Sequence, residues 1–172
     1  MRASTDSSPT GLLGLAHAIL KALERVPVAL PELVLRLGIS LVFYRSFRAK
    51  IADWNTTLLL FENEYRVPLL PPEVAAILAA GVEFAGPVML VLGLGTRAAA
   101  AAMLGMTMVI QIFVYPQSYP DHLLWAGPLL YLLLRGPGKW SVDAVLRDRI
   151  GWRQTDAAQI TPSADTTRNR AP

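Results

Sequence analysis

The chain has 172 residues, 53% hydrophobic and only 17% charged, with a mean hydropathy of +0.38. A soluble domain carries about 25% charge, so the composition is that of an integral membrane protein, and a net charge of +3 fits basic flanks around membrane spans better than a nucleic-acid surface. The chain contains no cysteine, which excludes a disulfide framework, a thiol redox centre and iron–sulfur ligation. His17 and His122 are widely separated, and a bis-histidine haem would be hard to build from them.

Residues 1–10 are polar and predicted to be disordered. Residues 11–30 read as an amphipathic helix, with His17, Lys21, Glu24 and Arg25 on one face and leucine and alanine on the rest. That stretch has too few apolar residues to span a bilayer, Pro27 and Pro31 interrupt it, and it lacks the basic start of a secretory signal. It is therefore expected to lie in the membrane interface.

The first span is predicted over residues 31–50. Arg45, Arg48 and Lys50 fall in its final turns, where long basic side chains reach the interface. Arg36 stands deeper and is followed by eight uncharged residues. Arg36, Ser40, Phe43, Phe47 and Lys50 share one helical stripe, which should face the bundle interior. Residues 51–71 form a connector in which Asp53 or Asn55 can cap a short helix, with Trp54, Phe61 and Tyr65 as interfacial anchors.

The second span, residues 72–95, organises the rest. It holds Glu83 near its middle, and a carboxylate at that depth costs roughly 2.5 to 3.5 kcal/mol, so it faces inward and finds a partner. Pro87, four residues on, has no N–H for the carbonyl of Glu83. Counting ~1.5 Å per residue from opposite membrane faces leaves Arg36 within ~6 Å of the level of Glu83 and Lys50 more than ~10 Å away. An Arg36–Glu83 pair is the expectation.

The third span is read over residues 97–115, capped by Thr96, with Thr107 and Gln111 on one face. The fourth runs over residues 121–135 from Asp121, kinked by Pro128. His122 and Trp125 sit at the same mouth as Trp54, making these three the candidate ligand-mouth residues. Residues 139–152 read as a short amphipathic helix and residues 153–172 as a disordered tail. The predicted fold is thus all-α, an integral membrane four-transmembrane-helix bundle (residues 31–138) with an N-terminal interfacial helix. Four spans put both termini on one side. That side, with the Arg97 turn, holds eleven Lys and Arg against four in the opposite loops, which makes the termini cytoplasmic in a bacterial inner membrane.

Several motifs in order carry a family resemblance over roughly residues 31–145: LRLGIS with its early arginine, SFRAK closing the first span, VPLLPP before the second, VEFAGPVMLVLGLGTRAAA, and the exit motif GPGKWSVD. The chain resembles the DoxX family of small four-helix membrane proteins. The resemblance marks Arg36, Lys50 and Glu83 as family-pattern positions, without assigning any of them a catalytic role. Phe47 replaces a usually small residue, which would narrow a cavity near Lys50. It also implies an association with quinone-linked redox or stress-response complexes. The favoured expectation is a non-catalytic accessory subunit that recruits a protein partner. A quinone-binding redox component using Arg36 and Glu83 is the first alternative and a small-solute transporter the second, although the chain shows no inverted repeat. The intramembrane polar site is read as Arg36, Ser40, Lys50 and Glu83. No metal and no nucleic acid are expected, and quinone is the one candidate ligand.

Overall fold

The computed structural model describes residues 11–150, and all regular structure among them is helical. The two termini read as disordered lie outside the described residues.

Helix α1 (Leu12–Glu24) buries no residue. It meets α2 (Ala29–Ala52) at a bend of 70°. The break falls at residues 25–28, and Pro31 sits inside the first turn of α2, where a missing N–H costs nothing. Helix α2 therefore starts before Pro31 and runs past Lys50. Asp53 caps α3 (Trp54–Leu60), accepting from the Thr56 N–H at 3.0 Å. One π-helical turn (Phe61–Tyr65) follows and ends at Arg66, whose left-handed φ of 40° reverses the chain.

Helix α4 (Pro72–Leu92) has Pro72 as its first residue and Gly93, at φ +67°, as its left-handed C-cap, both the usual choices for those positions. Helix α5 (Thr96–Val109) also continues into a π-helical turn (Ile110–Val114). Helix α6 (Tyr119–Arg135) begins two residues before Asp121, and α7 (Val142–Ile150) follows the Gly136–Gly138 turn.

Helix α2 packs on α4 and α6, and α5 packs on the same two, which closes a four-helix ring. Ile39, Phe43, Leu90, Met103, Leu129 and Leu132 fill its centre. A smaller cluster of Phe61, Ala75 and Ala76 seats the connector on the start of α4. Large apolar side chains such as Leu41, Ile77, Phe84, Ile112 and Leu123 point outward instead, as they do where the solvent is lipid. Among the described residues α4 and Thr96–Val114 are each long and apolar enough to cross a membrane, and the bent α1–α2 pair qualifies when taken together.

Candidate functional site

Two buried polar centres lie along the antiparallel α2–α4 pair. The first is Arg36, 2% exposed. Its guanidinium donates only to backbone carbonyls: Leu90 at 2.9 Å, Val91 at 3.0 Å, Pro137 at 2.9 Å and Trp140 at 2.7 Å. Leu90 and Val91 belong to the last turn of α4, whose carbonyls have no partners within the helix. Arg36 thus ties α2, the end of α4 and the α6–α7 turn into one knot. Asp143 completes it by accepting from the N–H groups of Gly95 (2.8 Å) and Thr96 (3.0 Å). The cap of α5 therefore comes from α7, and the Thr96 side chain, predicted to supply it, has no hydrogen-bond partner among the described residues. Gly93 and Gly138 are dictated by this packing: a Cβ on Gly93 would lie 2.4 Å from Ser141 Cβ, and one on Gly138 would strike the Glu32 carboxylate.

The second centre is Glu83, 1% exposed. Its partner is Lys50, not Arg36: Lys50 Nζ donates to Glu83 Oε1 at 2.7 Å and to Ser46 Oγ at 3.3 Å. The expected Arg36–Glu83 pair does not form, and side-chain direction explains why. Ser40 Oγ meets the Pro87 carbonyl at 3.3 Å, so Glu83 stands level with residue 44 of α2. By rise alone Lys50 is then ~9 Å away and Arg36 ~12 Å. Helical side chains lean toward their own N-terminus. In an antiparallel pair Glu83 and Lys50 therefore lean toward each other, while Glu83 and Arg36 lean apart. Taking Pro31 and Pro72 as the two membrane faces also misplaces the register by roughly 6 Å, since α2 extends beyond residues 31–50 at both ends, and the lean then decides the partner.

The Lys50–Glu83 pair forms part of the wall of a cavity of about 390 Å³, enclosed by α2, α4, α5 with its π turn, α6 and the connector. The rest of the wall is mostly apolar, including Val82, Met106 and Ile110, with Phe61, Tyr65, Tyr115, His122 and Trp125 as its aromatic part. Glu83 Oε2 is buried and has no hydrogen-bond partner among the described residues. An ammonium has three donors, and Lys50 spends two. The pair therefore presents one spare acceptor beside one spare donor.

His122 is held at the mouth by Gln111, with Nδ1 and Oε1 2.6 Å apart, while the Gln111 amide donates to the Pro116 carbonyl at 2.8 Å. That orientation makes Nδ1 the donor and leaves Nε2 as the ring's acceptor. Trp125 packs edge-on against both His122 and Phe43. Tyr115 donates to Glu64 and packs against Tyr65, latching the connector to the end of α5. The Glu64 carboxylate on its hydroxyl raises the Tyr115 pKa well above the ordinary phenol value. Of the three mouth residues read from the sequence, His122 and Trp125 line the cavity, whereas Trp54 does not and packs against the Phe61 cluster, which itself contributes Phe61 and Ala75 to the wall. Phe47 turns onto Phe84, with ring centres 5.0 Å apart, and leaves the space near Lys50 open. Tyr65, Tyr115, Ser46 and Met106 were not foreseen. Both π turns contribute wall residues, and π turns recur at functional sites.

The DoxX family model matches residues 32–116, from the first turn of α2 to the turn before α6. The chain belongs to the DoxX family. No curated protein and no solved structure matches the sequence. The DoxX match covers Arg36, Lys50, Glu83 and the connector, while His122, Trp125 and Asp143 come from helices beyond it. In this DoxX protein the cavity is therefore completed, and the Arg36 knot locked, by the segment that follows the matched region.

Proposed function

We propose that this DoxX-family membrane protein is a binding subunit that holds the ring of a quinone in the Lys50–Glu83 chamber. The observation that carries the reading is the half-satisfied carboxylate: a buried Glu83 oxygen without a partner in the wall of a cavity otherwise lined mostly by carbon. Leaving such a group unpaired costs about 1 to 3 kcal/mol, which a ligand hydroxyl would recover. A quinone carbonyl takes the spare Lys50 proton, a quinol hydroxyl donates to Glu83 Oε2, and Trp125 and Tyr65 offer ring faces. The cavity volume of 390 Å³ falls within the roughly 300 to 1,000 Å³ of small-molecule sites.

The chain has no cysteine, and its described residues contain no cluster of metal-ligating side chains. In this reading it presents the ring to a protein partner that carries the electrons, so the accessory role and the quinone role become one. The same reading gives the chain four crossings of a bacterial inner membrane, with α6 as the short fourth span, α1 in the interface and both termini in the cytoplasm. The excess of basic residues at the terminal side supports that orientation.

The test is the quinone content of protein purified in mild detergent, wild type against Glu83→Gln. The wild type should retain extractable quinone, with the variant losing about tenfold while its Tm stays within a few degrees. Wild-type protein that binds no quinone, together with a variant that only melts lower, would make the pair structural and end this reading.

A further inference from the structure

A second apolar feature shares a wall with the chamber. Between α4 and α5, on the outer face of the bundle, lies a groove of about 500 Å³ floored by Gly81, Ala85, Gly86, Ala98 and Ala102. Leu78, Val82 and Ala102 belong to both the groove and the chamber. From Leu78 to Met89 the groove follows α4 for about 16 Å, away from the connector and toward the Arg36 end.

Its two glycines have different reasons. A Cβ on Gly86 would lie 2.6 Å from Met103 Sδ, so any larger residue there would push the Met103 side chain aside. A Cβ on Gly81 would meet nothing within 4 Å. Packing within the protein does not call for a small residue at Gly81, and glycine inside a helix costs about 1 kcal/mol relative to alanine. What Gly81 keeps is open space beside the chamber wall.

We infer that the groove is a tail slot. This rests on the ring-binding reading above and names the class of ligand: a membrane lipid with a compact uncharged head and a long single hydrocarbon chain. The head sits at Lys50 and Glu83. The chain leaves sideways across Leu78 and Val82, between α4 and α5, and lies along Gly81 and Ala85. Three observations together select this occupant: the unpartnered Glu83 oxygen asks for a hydrogen-bond donor, its carboxylate disfavours a phosphate head, and groove and chamber lie back to back across the shared Leu78, Val82 and Ala102 side chains, which a chain passing from one to the other must part. Entry is then lateral, from the bilayer, and the latched connector need not open.

The test uses two probes with one ring, a ubiquinone with a long isoprenoid tail and its tailless ring analogue. Each is titrated by tryptophan quenching into the full-length protein in zwitterionic nanodiscs. The wild type should bind the long-tailed probe about tenfold more tightly at equal mole fraction in the bilayer, the equivalent of about 1.4 kcal/mol of packing contact between tail and groove. Gly81→Phe, which fills the groove, should abolish that preference and leave affinity for the tailless ring unchanged. Ala85→Phe, one turn further along the same wall, should do the same and serves if Gly81→Phe does not fold. A wild type indifferent to tail length, or a Gly81→Phe protein that keeps the preference, overturns the slot while the ring site stands. If Gly81→Phe removes the preference but Glu83→Gln affects neither probe, the slot stands and the ring reading falls. No binding of either probe to wild type overturns both.

Discussion

Helix α2 carries a buried cation and, fourteen residues on, a half-buried one, and the two ends of the bundle treat them differently. At one end Arg36 meets four carbonyls and no acid, and the surrounding groups close on one another: Asp143 on the α5 terminus, Ser141 on the Gly138 carbonyl at 2.7 Å, Gly93 under Ser141. At the other end Lys50 meets one acid and one hydroxyl, and that acid keeps a free oxygen beside a cavity. Four of the five guanidinium donors are used, and of the buried polar side chains here Thr96 alone lacks a partner among the described residues; a charge so nearly saturated by fixed carbonyls is the mark of a fastening. A buried charge left with spare hydrogen-bonding capacity next to empty volume is the mark of a site.

Breaking the fastening should have the largest effect. Arg36→Met takes the donor from four carbonyls, of which Leu90 keeps the Gly93 N–H, and should lower stability by about 4 kcal/mol, read as a large drop in Tm in detergent or as protein that fails to accumulate. Asp143→Ala, which removes only the α5 cap, should cost about 1 to 2 kcal/mol. An Arg36→Met protein melting within a few degrees of wild type would show that the knot does not hold this end together.

The Lys50–Glu83 pair comes next, and its asymmetry sharpens the contrast. Lys50→Met leaves a buried carboxylate alone and should cost about 3 kcal/mol, whereas Glu83→Gln keeps a neutral hydrogen-bonding group and should cost about 1 kcal/mol. The double variant should cost about 2 kcal/mol rather than the additive value of about 4, a coupling of about 2 kcal/mol in the thermodynamic cycle. Additive losses would mean that the two groups are not paired in the membrane.

How legible this was varies residue by residue. Glu83 stood out because a single carboxylate in an apolar run has few innocent explanations, and the helical order followed from hydropathy and proline and glycine punctuation. The Arg36–Glu83 expectation fails because pairing depends on the register of two helices and on where their side chains lean, neither of which spacing along one helix encodes. Asp143 was read as part of an exit motif, since a cap delivered from another helix leaves no local signature. Tyr65 and Tyr115 looked like interfacial aromatics, and nothing in the residue order announces a π turn. The cavity itself arises from how four faces meet, a property of no single stretch.

The smallest effect belongs to the mouth, where the Tyr115–Glu64 bond is exposed and the connector is held by little else of its kind. Tyr115→Phe should cost less than about 1 kcal/mol and leave the chamber intact. Its signature is in pH. A phenol whose ionisation is raised in the folded state stabilises the fold fully below its unfolded value of about 10 and loses that contribution as pH climbs through the raised value. A phenolate-absorbance titration of wild type against Tyr115→Phe should therefore show the missing phenol at the high end of the curve. If the phenol lost in the difference titration ionises near its ordinary value, the latch is not closed in solution. The mouth would then admit ligand directly, and lateral entry would lose the contrast between a fastened end and a merely latched one.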